Sequence, residues 1–268
     1  MKLKSPHLVD PGSEVQLAHL PTNSTGHLKN SEAAAAILVS HRDQLSKLQE
    51  IFYASQQKAL LIVLQGMDTA GKDGTISHIF SGVNPQGCDV ASFKTPTPLE
   101  QRHDFLWRVH SQLPARGLIQ IFNRSHYEDV LVPRVHKLLP RKTIDQRLDD
   151  INRFEATLHD NDIVILKFFL HISRKEQTAR LKARITDPDK HWKLSEADFH
   201  ERRYWPRYEQ AYNEAISATS KKIAPWFVIP SDHKWYRNVA ISQIIVDAMK
   251  SLKLKYPKPT MDPTEIHL

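Results

Sequence analysis

A chain of 268 residues can bury one large core, and charged and apolar fractions of 25% and 40% are those of a soluble globular protein. One cysteine, Cys88, excludes a disulfide framework and a cysteine metal site; no stretch is long enough to span a membrane. The excess of 37 Lys and Arg over 30 Asp and Glu, a formal charge of +7, points to an anionic partner: nucleic acid, acidic lipid, nucleotides or another polyanion.

Residues 1–30 are rich in Pro, Ser, Asn, Thr and Gly without periodicity, which predicts an irregular arm wrapping the domain. No apolar segment follows its first lysines, so no secretory signal is expected, and the cytoplasm is the expected compartment. Apolar residues then recur at helical spacing through Ile37, Leu38, Leu45, Leu48 and Phe52, predicting a packing helix over 31–55. Residues 59–64, Ala-Leu-Leu-Ile-Val-Leu, are too apolar for a one-sided strand and predict a parallel strand covered on both faces.

Gly66-x4-Gly71-Lys72 follows at once and is the phosphate-loop pattern, opening a helix near Lys72 that reaches about residue 83. Its glycines let the backbone wrap an anion. The successive N–H groups, those of Thr69, Ala70 and Asp73 included, are expected to point at phosphate oxygens, aided by the helix N-terminus. Lys72 adds a mobile point charge. Asp73 stands where the pattern usually has a magnesium-binding Ser or Thr, and Asp68 sits inside the loop. A phosphate cradle has no use for that anion without a cation, so Asp68 is expected to hold magnesium, or manganese in its place. A strand before and a helix after argue against a chance glycine-rich turn.

Residues 88–93 predict a second strand, with Lys94 at its carboxyl end near the crevice of a doubly wound sheet. A helix is expected over 99–113, burying Phe105, Leu106, Val109 and Leu113. Arg102 and Arg108 fall elsewhere, on solvent or on substrate. Residues 117–122 predict a third strand. A second phosphate-site carboxylate normally ends that strand, but Asn123 stands there, Arg124 follows, and the acids come later at Glu128 and Asp129. Arg124 offers a planar fork for a phosphate. Thr143 to Gln146 resembles a capping box for a helix running to about residue 159, and residues 162–170 predict a fourth buried strand. A second capping box, Ser173 to Glu176, opens a helix bearing Arg180 and Arg184 on one face.

Residues 186–207 mix Lys190, Lys193, Arg202 and Arg203 with Trp192, Tyr204 and Trp205. Such a segment near a phosphate site reads as a lid closing over anionic substrates, and equally as a nucleic-acid surface. A helix over 206–217, a short fifth strand over 226–230, a closing helix over 235–254 and a Pro-rich tail over 257–268 complete the chain. Strands alternating with helices imply right-handed βαβ units and one parallel sheet. With no repeat and no linker, residues 31–256 are expected to form a single domain.

Four segments in series, GMDTAGKDG (66–74), FKTPTPLE (93–100), IFNRSHYEDVL (121–131) and DPDKHWKLSEADFHERRYW (187–205), resemble the family-2 polyphosphate kinases. The likeness runs through nearly the whole chain from about residue 30. It implies a thymidylate-kinase-like three-layer α/β/α P-loop kinase fold, with a five-stranded parallel sheet and a mobile helical lid. It also implies magnesium-dependent, reversible transfer of a terminal phosphoryl group from inorganic polyphosphate to a nucleotide. By position, Asp68 would be the essential loop acid, and Lys72 would bind phosphate at the transfer point. Arg124 and Arg180 would hold nucleotide phosphates or the transferring group. Lys94, Lys193, Arg202 and Arg203 would line the polyphosphate path. Many members carry Asp at the position of Asn123, a departure that argues against a two-carboxylate metal site. The SHYEDV version resembles the subgroup that accepts both AMP and ADP, which brings Asn123, Glu128 and Asp129 to the nucleotide side.

Two rivals remain at this level. An ATP-dependent nucleoside monophosphate kinase shares the fold and reaction class. A nucleic-acid-binding module with a degenerate phosphate loop shares the charge, but has no use for Asp68. No nucleic-acid or membrane partner is expected, and a homo-oligomer is.

Overall fold

The computed structural model describes residues 3–261, so residues 262–268 of the predicted tail lie outside the described residues. Five parallel strands, β1 (Ala59–Gln65), β2 (Cys88–Ser92), β3 (Ile119–Asn123), β4 (Ile163–His171) and β5 (Trp226–Pro230), form one sheet in the order β2-β3-β1-β4-β5. Every residue of β1 is buried, as an apolar run flanked by strands and covered on both faces requires. Its last residues are in register with Asn123 of β3 on one side and with Phe168 and Phe169 of β4 on the other. The carboxyl ends of β1, β3 and β4 therefore open onto a common crevice.

Among the described residues nine α-helices flank and connect the strands. α1 (Ser31–Ser55), α2 (Lys72–Ile79) and α9 (Lys234–Ser251) pack together on one face of the sheet. On the other lie α4 (Glu128–His136), α5 (Arg141–Asp160) and α8 (Trp205–Thr219), giving three layers. The sequence explains the packing. α5 buries Ile144, Leu148, Ile151, Phe154 and Leu158, a stripe spaced at three and four residues. α6 (Arg174–Thr186) starts at the expected capping box, where Ser173 Oγ accepts from the Glu176 N–H at 3.0 Å.

Residues 3–30 contain one 3-10 turn, Leu17–His19, and cover the free edge of β5. Val9 N–H donates to the Trp226 carbonyl and Val228 N–H to the His7 carbonyl, both at 2.9 Å. Val9, Val15 and Leu17 enter the core, so this irregular segment shields a sheet edge.

Three expectations fail locally. The helix over 99–113 is broken into a 3-10 turn, Glu100–Arg102, and a short α3 (Trp107–His110). Asp104 Oδ1 accepts from the Leu106 N–H at 3.0 Å and restarts the chain, the local competition that disfavours Asp within a helix. Arg108 is neither solvated nor on substrate: it is buried and ion-paired to Asp129 at 2.8 Å. Thr143 does not cap α5, whose N-cap is Pro140. α4 went unpredicted because Pro133 lies inside it.

One charge lies inside β4. Lys167 is fully buried, pairs with Glu155 of α5, and donates to Tyr127 Oη at 3.0 Å and to the Thr219 carbonyl at 2.8 Å. Burial would raise the Glu155 carboxyl, but Lys167 and His126 outweigh it and hold it below its ordinary value. Trp226 Nε1 reaches Thr219 Oγ1 at 2.9 Å, so β4, β5, α5, α8 and the turn before α4 meet at one network. Lys167→Ala strands Glu155 without a counter-charge and should cost about 3–5 kcal/mol. Lys167→Met combined with Glu155→Leu should recover most of that loss. The urea midpoints of the three proteins check both outcomes.

Candidate active site

The chain leaves β1 through a loop with positive φ at Gly66 (156°), Thr69 (65°) and Gly71 (101°). Glycine is required at both ends. A Cβ on Gly66 would lie 2.9 Å from the Leu170 carbonyl oxygen, and one on Gly71 would lie 2.1 Å from Arg237 Nη1.

The loop carbonyls are drawn away from the crevice. Gln177 Nε2 donates to the Asp68 carbonyl at 3.0 Å. Arg180 Nη1 donates to those of Thr69 (3.0 Å) and Ala70 (2.8 Å), and Arg237 Nη1 to Ala70 (3.0 Å). In a trans peptide the N–H points opposite to the carbonyl. The Thr69 and Gly71 N–H groups are thereby turned to the open side, next to the free N–H groups of the first turn of α2. The Thr69 hydroxyl is shielded from solvent and has no partner among the described residues.

Lys72 opens α2, is buried, and donates through Nζ to the Gly66 carbonyl at 3.0 Å. Burial and the Arg124 charge push its ammonium below the ordinary lysine value, against the pull of Asp68. Arg124 follows β3 with φ at 63°, a conformation unusual for a side-chain-bearing residue. Its Nη2 lies 2.9 Å from Asp68 Oδ1 and its Nη1 3.9 Å from Glu128 Oε2. Asn123 Nδ2 donates to Asp73 Oδ1 at 2.7 Å. Burial raises the Glu128 carboxyl above its ordinary value, with Arg124 and Lys72 opposing.

Above this floor the segment after α6 folds over as a 3-10 turn (Pro188–Lys193), α7 (Glu196–Glu201) and a second turn (Arg202–Tyr204). Arg184 of α6 pairs with Asp198 at 2.7 Å. Arg202 Nη1 donates to Gln177 Oε1 at 2.6 Å, while the other end of Gln177 holds the phosphate loop. His136 Nε2 meets Glu201 Oε2 at 2.8 Å, and Tyr208 Oη donates to the same oxygen at 2.7 Å. Loop and cover enclose a cavity of about 830 Å³.

Of the residues chosen from sequence, Gly66, Asp68, Thr69, Gly71, Lys72, Asp73, Lys94, Asn123, Arg124, Glu128, Lys193 and Arg202 line this cavity. Four do not. Ala70 is fully buried, and its N–H is spent on the Met67 carbonyl at 3.0 Å. Asp129 turns away to Arg108. Arg180 has all five donors committed, to Glu176 and to the carbonyls of Thr69, Ala70, Ser231 and Asp232, so it braces the loop from behind. Arg203 is exposed and outside the lining.

Sequence reasoning missed Gln177, Asp198, Glu201, Tyr212 and Arg237. Tyr212 reaches the site by donating to Gln65 Oε1 at 3.1 Å, from the helix predicted over 206–217. The visible signal was the spacing of Ala211, Tyr212, Ala215 and Ile216 on one buried face, which does not say what that face touches.

A phosphate loop at the end of a central parallel strand, Lys72 inside it and a basic cover above it define a phosphotransferase of the P-loop kinase fold. The family follows from comparison. Residues 28–257 match the family model described as Polyphosphate kinase 2. An AMP/ADP-polyphosphate phosphotransferase of Meiothermus ruber is 47% identical over 253 residues, 94% of each chain. An ADP-polyphosphate phosphotransferase of Rhodopseudomonas palustris is 43% identical over 97% of this chain and 94% of its own. The crystal structure of polyphosphate kinase 2 from Arthrobacter aurescens TC1 superposes with a TM-score of 0.92 at 43% identity, over 94% of this chain and 91% of that one. The chain belongs to the polyphosphate kinase 2 family.

The Asp68 and Arg124 side chains are 22% and 42% exposed, so their ion pair contributes no more than about 1 kcal/mol to stability. Asp68→Asn and Lys72→Ala should each lower turnover by roughly two orders of magnitude or more. Thermal unfolding should stay near wild type, and a melting curve beside a steady-state assay checks both halves.

Proposed function

We propose that this protein transfers the terminal phosphoryl group of inorganic polyphosphate to AMP and to ADP, forming ADP and ATP, reversibly. The observation that carries the reading is one cavity whose floor is a phosphate loop and whose walls bear Lys94, Arg124, Arg184, Lys193 and Arg202 from separate segments. A donor with a charge on every phosphate needs cations spread along a path, and a nucleotide alone does not. The name of the Meiothermus relative agrees, since it joins both acceptors in one enzyme.

In the transfer, the acceptor's terminal phosphate oxygen bonds to the end phosphorus of the donor as the P–O bond to the remaining chain breaks. Lys72 and the N–H groups of Thr69 and Gly71 hold oxygens of the transferring group. Arg124 leaves Asp68 for a phosphate, to which its fork can bind twice. Lys94 and Lys193, which line the cavity from separate segments, follow the donor. The folded cover excludes water, which would otherwise compete as acceptor.

Asp68 would hold Mg2+, or Mn2+, once Arg124 has moved to the phosphate. Among the described residues no cluster of three His, Cys, Asp or Glu side chains could hold a metal alone. That donor set fits magnesium, which takes one or two carboxylates and completes its shell with waters and substrate phosphates. When bound, the ion neutralises charge on the phosphoryl oxygens. Among the described residues no helix is long and apolar enough to cross a membrane, and we assign the enzyme to the cytoplasm.

AMP and ADP differ in length by one phosphate, so both cannot place their terminal oxygen in line from one rigid pose. Glu128 faces the cavity beside Arg124 and would bridge the gap for the shorter acceptor through water or the cation.

Incubated with AMP, magnesium and excess polyphosphate, and no nucleoside triphosphate, the enzyme should form ADP first and ATP later. A nucleoside monophosphate kinase that requires ATP would form neither. Glu128→Gln should change the ratio of the AMP and ADP rates, and an unchanged ratio removes Glu128 from acceptor choice. Added salt should raise the KM for polyphosphate more than that for AMP, because the donor meets more charges. Equal sensitivity would argue against an extended basic path.

A further inference from the structure

Arg237 stands one turn into α9, far in sequence from the phosphate loop, and is only 2% exposed. Its bonds go to the Ala70 carbonyl at 3.0 Å and, through Nε and Nη2, to Asn238 Oδ1 at 3.1 and 2.9 Å. Both acceptors are neutral. Among the described residues Arg237 forms no ion pair, and its nearest charged neighbour at Ala70 is a second cation, Arg180. Burial, followed by the Arg180 charge, pushes its guanidinium down to about 9.

This is an unfavourable way to hold a loop. A buried charge without a counter-ion is costly, and replacing such charges with apolar side chains of similar volume is often neutral or stabilising. A neutral amide could brace one carbonyl without burying a charge. The position gains from a cation only when negative charge arrives nearby, and the cavity lined by Gly71 is where a phosphate would bring it. Gly71 separates the two: a Cβ there would meet Arg237 Nη1, while its N–H faces the phosphate side.

We propose that Arg237 is a positioning residue for the phosphate site, turning the Ala70–Gly71 peptide toward the cavity and supplying a fixed positive charge whose missing counter-ion is the phosphate of the substrate. The inference rests on the polyphosphate reading above. It assigns to a residue that never touches substrate a share of the affinity for the phosphate chain, at the expense of the stability of the empty protein.

The test is Arg237→Met, studied by calorimetric binding of tripolyphosphate and by thermal unfolding without any anion. The variant should melt at or above the wild-type temperature while its tripolyphosphate affinity falls roughly tenfold or more, the size of loss that a buried charge a few ångströms away can produce. Tripolyphosphate should also stabilise the variant less than wild type against heat. A merely structural staple gives the reverse pattern: a lowered melting temperature with near-wild-type tripolyphosphate affinity would overturn the proposal. Should Arg237→Met fail to fold, Arg237→Lys carries the test, because it keeps a charge and loses the fork. Affinity within about threefold of wild type then supports the electrostatic role, and a loss of about tenfold overturns it. Wild type that binds no tripolyphosphate would instead bring down the functional reading itself.

Discussion

The carbonyl of Ala70 accepts from two guanidiniums, Arg180 at 2.8 Å and Arg237 at 3.0 Å, and these bonds set which way the phosphate loop faces. With the carbonyls of Asp68, Thr69 and Ala70 all drawn backward, the loop presents N–H groups and the start of α2 to the cavity. The same arrangement explains Gly71, because only a residue without Cβ leaves room for the Arg237 fork. Lys72 then lies between one cation, Arg124, and the carboxylates of Asp68, Glu128 and Asp73, with its ammonium on the Gly66 carbonyl. Arg124 with Asp68 on the floor and Arg184 with Asp198 in the cover likewise pair a cation with an acid at the cavity.

Gln177 joins this floor to the cover. One end of its amide holds the Asp68 carbonyl and the other accepts from Arg202, so folding of the cover and shape of the loop share a side chain. Arg184 with Asp198, and Glu201 with His136 and Tyr208, tie the cover to α6, α4 and α8 by charged or polar contacts, and the Tyr204 ring adds an edge-on contact with His136. Such contacts exchange partners at little cost, whereas an apolar interface would have to re-expose its area to open. Between the sheet and α5 and α8, the Lys167–Glu155 network does the opposite work. It is wholly buried, and Tyr127 within it adjoins Glu128, so the segment bearing Arg124 and Glu128 starts from a fixed anchor.

Much of this was legible because it is local. The run at 59–64 named a two-faced strand, Gly66 to Lys72 named the loop, and Ser173 to Glu176 named a helix start that the structure reproduces. The errors are local competitions that a periodic pattern hides. Asp104 captured the Leu106 N–H and split a helix, and Pro133 sat in a helix without ending it. Side-chain direction was the harder problem. Arg180 and Arg184 share a face and a charge, yet one braces the loop from behind and the other lines the cavity.

The sequence by itself determined the order of the strands and of most helices, the phosphate loop, the basic cover and twelve of the residues that line the cavity. Those features rest on hydrophobic period, glycine geometry and charge, and each is decided within a dozen residues. Only the tertiary structure decided partners. Arg237 meets Ala70 across 167 positions and Gln177 meets Asp68 across 109, so nothing in either neighbourhood announces the contact. Asp129 was lost to Arg108, and Arg180 to the back of the loop, for the same reason. A charged side chain takes the best acceptor that packing brings within reach, and packing is a property of the whole chain.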